Sequence, residues 1–436
     1  MTLKEKIFLL LKKQKQNKNK YIESIIKKSI GFLHKIGFTE LKKTCFNSVL
    51  NYDFDIPKTK NEVEDYRIKE LSFNKKFISL YFINGFFSSK LSNLCKLKNN
   101  IKFSSLKNFL STPQNKNIKY FCKTLFNKDN FFFNNTFIAL NISLTPDGFF
   151  LKIPKNTNLN IPIEIINIYS TKISAIINLK NIIVVGKNST VKIIERHIST
   201  SKKYIFSNLF TEIFSNDHSK IEIFKLENDL RKTYLIDNTF INQRDNSVCK
   251  VFTFSSNIRH IINNINCLKL GQDTKSFFHG LSFFNKSNNI RKLYNNVVIQ
   301  YETSNSVSYQ NYKGIFSKNS YGIFKSKIKI NDNLYNINSK QTNSNLLLSN
   351  SSKVLSRQEF KTYSSKVKCE HGTNIGKLDK RSIFFFRTRG IVKTKAIKLA
   401  ILIFANELIK LVNLNILKNK IIAYLKDNLK FDFIKI

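Results

Sequence analysis

Three consecutive residues toward the C-terminus, Cys369, Glu370 and His371, carry a thiol, a carboxylate and an imidazole. Thiolate and imidazole are ligand types that iron and zinc accept well. In an extended segment Cys369 and His371 would face one side of the chain and Glu370 the other. Two ligands from one segment do not complete a tetrahedral site, so the remaining ligands would have to come from elsewhere. A polar loop without a metal stays open as the alternative.

The other cysteines do not form a recognisable pattern. They are scattered along the chain without a CxxC pair, at Cys45, Cys95, Cys122, Cys249 and Cys267. Such spacing fits neither a disulfide framework nor a self-contained zinc or cluster motif. The sequence therefore predicts a protein of a reducing compartment.

Local catalytic signatures are missing from the sequence. It contains no P-loop, no GxGxxG, no GxSxG and no HExxH. The other histidines occur in ordinary contexts and are interpreted as structural; they are His34, His197, His218, His260 and His279. We therefore expect a chain that is not an enzyme by itself.

The charge is strongly basic, with 73 Lys and Arg against 29 Asp and Glu and a formal net charge of +44. Such an excess raises the possibility of nucleic-acid binding. The lysines, however, are spread along the entire chain among Asn, Ile and Phe, and Gly, Pro and Trp are scarce. Drift of a genome toward A+T-rich codons accounts for this profile. We expect no nucleic acid as partner, and a salt-dependent affinity would identify the alternative.

Targeting and membrane segments are not predicted. The apolar run Ile7–Leu11 is too short for the core of a signal peptide. The most apolar late stretch, Ile397–Leu417, is interrupted by Lys398, Glu407 and Lys410. The sequence predicts a soluble, cytoplasmic protein.

The periodicity of apolar residues divides the chain into three parts. Residues 1–138 are expected to form a mainly helical domain, with Ile22, Ile26 and Leu33 on one face of a helix that stops at Gly37. A break is expected at Thr112–Asn115. Residues 139–365 are predicted as a β core, and residues 366–436 as a helical domain that carries the Cys-Glu-His motif.

The central part consists of short alternating runs bounded by Asn, Ser, Asp or Gly. Examples are Ile163–Ile166, Val191–Ile194, Ile221–Phe224 and Val248–Val251. No helical stretch separates them, which argues against a βαβ sheet. A β-solenoid suits this pattern, and a large sandwich remains its rival.

The C-terminal part again shows helical spacing. Asp379 is a suitable N-cap for a helix over Lys380–Thr388, and Gly390 is a suitable stop. Ile397, Ile401 and Leu408 belong to an apolar stripe at helical spacing, and a second stripe follows it.

Ordered motifs resemble the SufB/SufD family of iron–sulfur cluster assembly proteins. Near the C-terminus these are Asn345–Ser349, Lys368–Thr373, Gly376–Asp379 and Phe386–Ile391. Upstream they are Ala139–Asn141, Asp147–Gly148, Ile153–Pro154, Thr211–Ile213, Gln243–Asn246, Tyr312–Ile315 and Gly322–Phe324. The histidine followed by glycine, His371-Gly372, is similar to the SufD branch of the family rather than to SufB.

The resemblance implies a mainly β fold with α-helices: a right-handed parallel β-helix core flanked by N-terminal and C-terminal helical domains. It implies a non-catalytic subunit that pairs with SufB through the β-helix and binds the SufC ATPase through its C-terminal helical region. His371, with Cys369 second, would help build a transient iron–sulfur cluster shared with SufB. Arg389 and Lys393 would belong to the SufC docking surface. Whether reduced flavin binds the complex is left open.

The remaining alternative is a β-helix enzyme that acts on carbohydrates. Such an enzyme needs paired carboxylates in a groove. The acidic residues of the sequence show no such grouping.

Overall fold

Parallel β-strands make up most of this protein. The structure is a computed structural model that describes residues 7, 19–37, 54–57, 71–97, 100–112, 115–123, 135–228, 230, 232–285 and 287–429. The first strands are β1 (Ile78–Ile83), β2 (Phe86–Ser88), β3 (Lys102–Ser105), β4 (Asp147–Ile153), β5 (Ile163–Tyr169), β6 (Ala175–Val185), β7 (Thr190–Ser199), β8 (Ile205–Ser215), β9 (Lys220–Asn228) and β10 (Thr233–Gln243). The later strands are β11 (Val248–Ser256), β12 (His260–Lys269), β13 (Lys275–Phe284), β14 (Arg291–Tyr301), β15 (Ser306–Phe316), β16 (Ser320–Ile330), β17 (Ile337–Leu347), β18 (Lys353–Thr362) and β19 (Val367–Gly376).

Successive strands alternate between two sheets. One sheet runs β19-β17-β15-β13-β11-β9-β7-β5-β1-β2, and the other runs β18-β16-β14-β12-β10-β8-β6-β4-β3. From β4 to β19 each strand pairs in parallel with the strand two places along the chain. Each coil therefore adds one strand to each sheet, which is the arrangement of a β-solenoid. The predicted β-helix is confirmed, and the sandwich is excluded.

The interior of the solenoid is lined by every second residue of each strand, because side chains alternate between the two faces of a sheet. Along one such column Ile163, Ile193, Ile223 and Val251 are aligned in register. All of them are buried in the main apolar core. Stacked β-branched side chains at this position stabilise each coil against its neighbours.

The corners between strands use asparagine in the left-handed backbone conformation. Asn188, Asn246, Asn305 and Asn336 all have φ between 52° and 58°. Asparagine tolerates this region better than other residues with a Cβ. Side chains of successive corners also pair, since Asn336 Nδ2 donates to Asn305 Oδ1 at 2.9 Å.

The N-terminal end of the solenoid is covered. Its helices are α1 (Lys20–Ile36), α2 (Leu106–Ser111) and α3 (Thr136–Leu144). The predicted stop at Gly37 is confirmed, with φ of 64°. The region predicted as mainly helical also supplies β1–β3, of which β2 and β3 pair antiparallel to their neighbours. Part of the predicted break at Thr112–Asn115 lies outside the described residues.

The C-terminal helices pack on the outer face of the sheet that runs from β19 to β2, which we call the odd-numbered sheet. They are α4 (Lys380–Arg387), α5 (Lys393–Ile409) and α6 (Asn415–Asn428). Asp379 caps α4 as predicted, since its carboxylate accepts from the backbone N–H groups of Arg381 and Ser382. Ile397 and Ile401 of α5 share one apolar cluster with Phe254 of the sheet. Among the described residues, no helix is long and apolar enough to cross a membrane.

The ladder of strands extends past the predicted boundary at residue 365. Strand β19 pairs with β17 over its whole length, with Cys369 opposite Ser339 and His371 opposite Gln341. The Cys-Glu-His motif therefore lies on the last strand of the solenoid and not, as predicted, within the helical region that follows. The side chains of β19 still alternate between the two faces of the sheet although most of them are polar. The scarcity of apolar residues in this segment therefore does not coincide with the end of the sheet.

Candidate functional site

Cys369 and His371 project toward the solenoid interior at its C-terminal end. Their partners in register, Ser339 and Gln341, are fully buried. Strand β19 is the last strand of its sheet and has β17 as its single neighbour there. His371 is consequently exposed although it faces inward. The motif thus stands at the open end of a long interior column.

The imidazole of His371 lies against an aromatic ring of the opposite sheet. The ring centroids of His371 and Phe360 are 5.2 Å apart and the planes differ by 10°. Gln341 lies beside His371 in the ladder, and its Oε1 is buried without a hydrogen-bond partner among the described residues. The imidazole is therefore held by stacking, with its edge left accessible.

The interior next to His371 is polar, unlike the apolar column farther back. Ser326 Oγ donates to Gln310 Oε1 at 2.6 Å, and Gln341 Nε2 donates to Ser326 Oγ at 2.7 Å. On the last coil Thr373 Oγ1 donates to Gln358 Oε1 at 3.1 Å. Sequence reasoning missed this lining, although these residues occupy the inward-facing phase of their strands.

The thiol of Cys369 is half-buried, and burial raises its pKa above the ordinary value. A thiol of this kind stays protonated at neutral pH and is a weak nucleophile. Binding a metal would require loss of its proton. The need to lose this proton makes metal binding by Cys369 less favourable.

Glu370 faces the opposite side of the strand, as alternation predicts. Its carboxylate oxygens lie 3.1 Å from Lys340 Nζ and 3.1 Å from Lys368 Nζ. Hydrogen bonds to these two lysines lower the pKa of Glu370. Within the described part of the chain no three His, Cys, Asp or Glu side chains are grouped closely enough to hold a metal ion. Among the described residues the motif therefore brings together two candidate donors, Cys369 and His371.

Arg389 lies in the turn between α4 and α5, and Lys393 lies on α5, both away from the solenoid interior. The Arg389 guanidinium is 3.4 Å from the centroid of the Phe385 ring, and its Nη1 donates to the Phe385 carbonyl at 3.1 Å. Lys393 is the exposed first residue of α5. A surface cavity of about 460 Å³ lies between α4 and α5, with Phe385 and Ile403 in its lining.

A cluster of charged side chains is buried in the middle of the solenoid. Lys225 Nζ lies 2.5 Å from Asp237 Oδ2 and 3.7 Å from Glu195 Oε2. Glu227 Oε2 accepts from Ser255 Oγ at 2.7 Å. Burial raises the pKa of Glu227 to about 8. These carboxylates are enclosed, so they do not form the accessible acid pair that a carbohydrate-active enzyme requires.

Comparison with known protein families agrees with this architecture. Residues 168–404 match the family model described as "SUF system FeS cluster assembly, SufBD core domain", and residues 33–165 match that of the SufBD protein N-terminal region. The chain belongs to the SufBD family. The recognition made from the motifs is confirmed, and so is a role in iron–sulfur cluster assembly.

Individual relatives agree with this assignment. The iron–sulfur cluster assembly SufBD family protein slr0076 of Synechocystis is 24% identical over 351 residues, which cover 78% of this chain and 76% of the relative. SufD of Escherichia coli is 31% identical over 116 residues, or 27% of either chain. SufD of Bacillus subtilis is 21% identical over 309 residues, covering 67% of this chain and 66% of the relative. The chain is thus SufD-like within its family.

Proposed function

We propose that this chain is the SufD-like subunit of an iron–sulfur cluster scaffold and that it pairs with SufB through the open end of its solenoid. At that junction His371 would donate to iron of the nascent cluster, which is the cargo of the complex. The observation that carries this proposal is the position of His371 on β19, the last strand of its sheet, where it faces inward and is exposed.

The two ends of the solenoid differ in a way that favours a partner at the C-terminal end. Strands β18 and β19 end their sheets. Large apolar side chains are exposed beside them, with Leu355 at 56%, Tyr363 at 71% and Ile375 at 40%. Exposed edge strands invite pairing with another chain and are normally protected. A second solenoid docked there would cover both the edges and these side chains.

The donors at this end fit a shared cluster site. A neutral imidazole offers a lone pair to iron, and a cysteine offers sulfur once its proton is lost. His371 and Cys369 cannot fill a tetrahedral set, so SufB would supply the remaining ligands. Cys369 is second to His371 because burial keeps its thiol protonated.

The α4–α5 surface is the proposed docking site for the SufC ATPase. Phe384, Val392 and Ile403 are exposed there at 67%, 69% and 55%. Exposed apolar groups of this size, rimmed by charge, are typical of protein interfaces. Arg389 and Lys393 would supply the charged rim.

The connection between these two surfaces is short. Strand β19 ends at Gly376 and α4 begins at Lys380. Lys313 of β15 additionally pairs with Glu407 of α5 and donates to the Phe404 carbonyl at 3.2 Å. Since the sequence has no P-loop, ATP hydrolysis would belong to SufC. A movement of SufC would then be transmitted to the open end of the solenoid through this short connection.

A double variant of the solenoid end tests the proposal. Tyr363→Arg with Ile375→Arg should abolish co-purification with SufB and leave binding of the ATPase intact, because the solenoid end and the helices are separate surfaces. Co-purification of SufB at the wild-type level would place the pairing surface elsewhere. A chain that binds neither protein, and binds RNA with an affinity that falls steeply with salt, would instead support the nucleic-acid alternative.

A further inference from the structure

A cleft of about 300 Å³ opens on the outer face of the odd-numbered sheet, beneath the turn between α5 and α6. It lies apart from both the solenoid end and the α4–α5 cavity. Its lining includes Phe224, Phe252, Phe277, His279, Glu222 and Lys410. This volume is at the lower end of the range of pockets that bind small molecules.

Two polar atoms in the lining of this cleft are buried without a hydrogen-bond partner among the described residues: Nδ1 of His279 and Oε2 of Glu222. The other oxygen of Glu222 accepts from Lys250 Nζ at 3.0 Å and from Asn413 Nδ2 at 3.2 Å. Lys192 Nζ is 3.8 Å from Oε2, beyond hydrogen-bonding distance. Buried polar atoms normally find partners, because leaving them unpaired is costly. A ligand in the cleft would satisfy both.

The imidazole of His279 is neutral at neutral pH. Burial first, and the nearby Lys250 ammonium second, lower its pKa to about 4. A neutral imidazole presents one nitrogen as donor and the other as acceptor. The cleft thus offers a carboxylate oxygen that accepts and an imidazole that can pair with either kind of group.

The other parts of the cleft are aromatic and basic. Phe224 and Phe252 are almost completely buried in its floor. Phe277 is stacked on Tyr309, with centroids 5.8 Å apart. Lys410 is exposed at the rim. Aromatic side chains stack on flat heterocycles, and a lysine ammonium suits a phosphate as a point charge.

We propose that this cleft binds a nucleotide, with the base against the aromatic lining and its N–H edge toward Glu222, and with the phosphate toward Lys410. A nucleobase combines a flat ring with donors and acceptors on one edge, which is what the unpartnered atoms of Glu222 and His279 require. The inference goes beyond cluster assembly and does not depend on His371.

Equilibrium dialysis of the full-length chain, without the ATPase, tests the proposal with adenosine 5′-monophosphate and guanosine 5′-monophosphate. Ribose 5-phosphate is the essential comparison, because a chain of net charge +44 attracts any phosphate. We expect at least one of the two nucleotides to bind ten or more times tighter than ribose 5-phosphate. Equal binding of all three would overturn the proposal and show simple charge attraction.

The variant His279→Leu replaces the imidazole with an apolar side chain of similar size. We expect it to weaken binding of the preferred nucleotide about tenfold while binding of ribose 5-phosphate is unchanged. Asn311→Leu is the matched control, since Asn311 is next to His279 in the same outward column but does not line the cleft. Glu222→Gln keeps the shape of the acid and should also weaken binding. Wild-type affinity in both the His279 and Glu222 variants would contradict the assignment.

Discussion

The imidazole of His371 stacks on the phenyl ring of Phe360, with 5.2 Å between centroids and 10° between planes. The two residues come from different sheets and meet where the solenoid ends. Stacking restricts the plane of the imidazole, and His371 remains exposed. Phe360 therefore orients His371 without occupying the positions through which it would bind iron.

Replacing Phe360 by leucine should slow cluster formation several-fold in the purified complex. Leucine still packs against the core but cannot stack, and an aromatic pair contributes about 0.5–1.5 kcal/mol beyond its buried area. The rate of absorbance growth during anaerobic reconstitution measures the effect. Phe360→Tyr, which keeps the ring, is the control. An unchanged rate in Phe360→Leu would show that the stacking has no part in assembly.

A second prediction concerns Lys313, which is buried beneath α5 and pairs with Glu407 and the Phe404 carbonyl. Lys313→Met should lower the free energy of unfolding by about 1–2 kcal/mol, because a charged hydrogen bond is lost. Hydrogen exchange should increase in α5 more than in the central strands. Glu407→Gln is the comparison and should be milder, since 65% of the Glu407 side chain is exposed. Equal protection of α5 in Lys313→Met would contradict the role of this contact.

The amino-acid composition did not indicate the structural role of the asparagines. Codon drift accounts for the abundance of asparagine, yet Asn188, Asn246 and Asn305 turn the chain at the corners with positive φ. Drift and structural use are compatible, because asparagine is both A+T-encoded and tolerant of this conformation. The strands could be predicted from alternation, but the positions of the corners could not be assigned to one residue type.

Two glycines of the family motifs are explained by their packing against one aromatic ring. A Cβ at either Gly314 or Gly322 would collide with the ring of Phe316. These glycines belong to the motifs Tyr312–Ile315 and Gly322–Phe324, and both leave room for one aromatic ring. A single sequence shows the glycines but not the Phe316 ring, which comes from the strand of Gly314 and reaches Gly322 on a strand of the other sheet.

The buried charges could have been anticipated only in part. Ile221 and Ile223 set the inward phase of β9, and continuing that phase puts Lys225 and Glu227 inside the solenoid. Their partner Asp237 comes from the other sheet. The pairing depends on how the two sheets face each other, which alternation within one strand does not specify.

The pKa of Glu227 leads to a prediction about stability. Burial raises this pKa to about 8, above the unfolded value, so the folded state binds more protons between these two pH values. Stability should therefore fall as pH rises from 6.5 to 8. Within this window His197, with a pKa lowered to about 4 by burial, is neutral in the folded state. Glu227→Gln should flatten the dependence.

Thermal unfolding at several pH values between 6.5 and 8 measures this effect. The wild-type midpoint should decrease across the window and that of Glu227→Gln should decrease less. Glu195, whose pKa burial raises to about 7, remains in the variant and accounts for a residual slope. Identical slopes for the two proteins would show that Glu227 is ionised in the folded chain.

Reversal of two charges tests the docking surface on the C-terminal helices. Arg389→Glu with Lys393→Glu should reduce the amount of ATPase that the chain retains in a pull-down, while pairing with SufB is preserved. Lys426→Glu on α6 serves as the control because it changes an exposed charge on a different helix. Retention of the ATPase at the wild-type level in the double variant would move the docking surface away from these residues.

The most direct test is cluster formation by His371→Ala in the complex with SufB and the ATPase, followed by ultraviolet–visible absorbance during anaerobic reconstitution. Alanine removes the donor, and because His371 is exposed in the single chain the chain should still fold. We expect the complex to assemble as well, since the other residues of the solenoid end are unchanged. We predict that the cluster absorbance is lost in His371→Ala and only reduced in Cys369→Ala. Cluster formation by His371→Ala at the wild-type rate would contradict the account and leave the site to SufB alone.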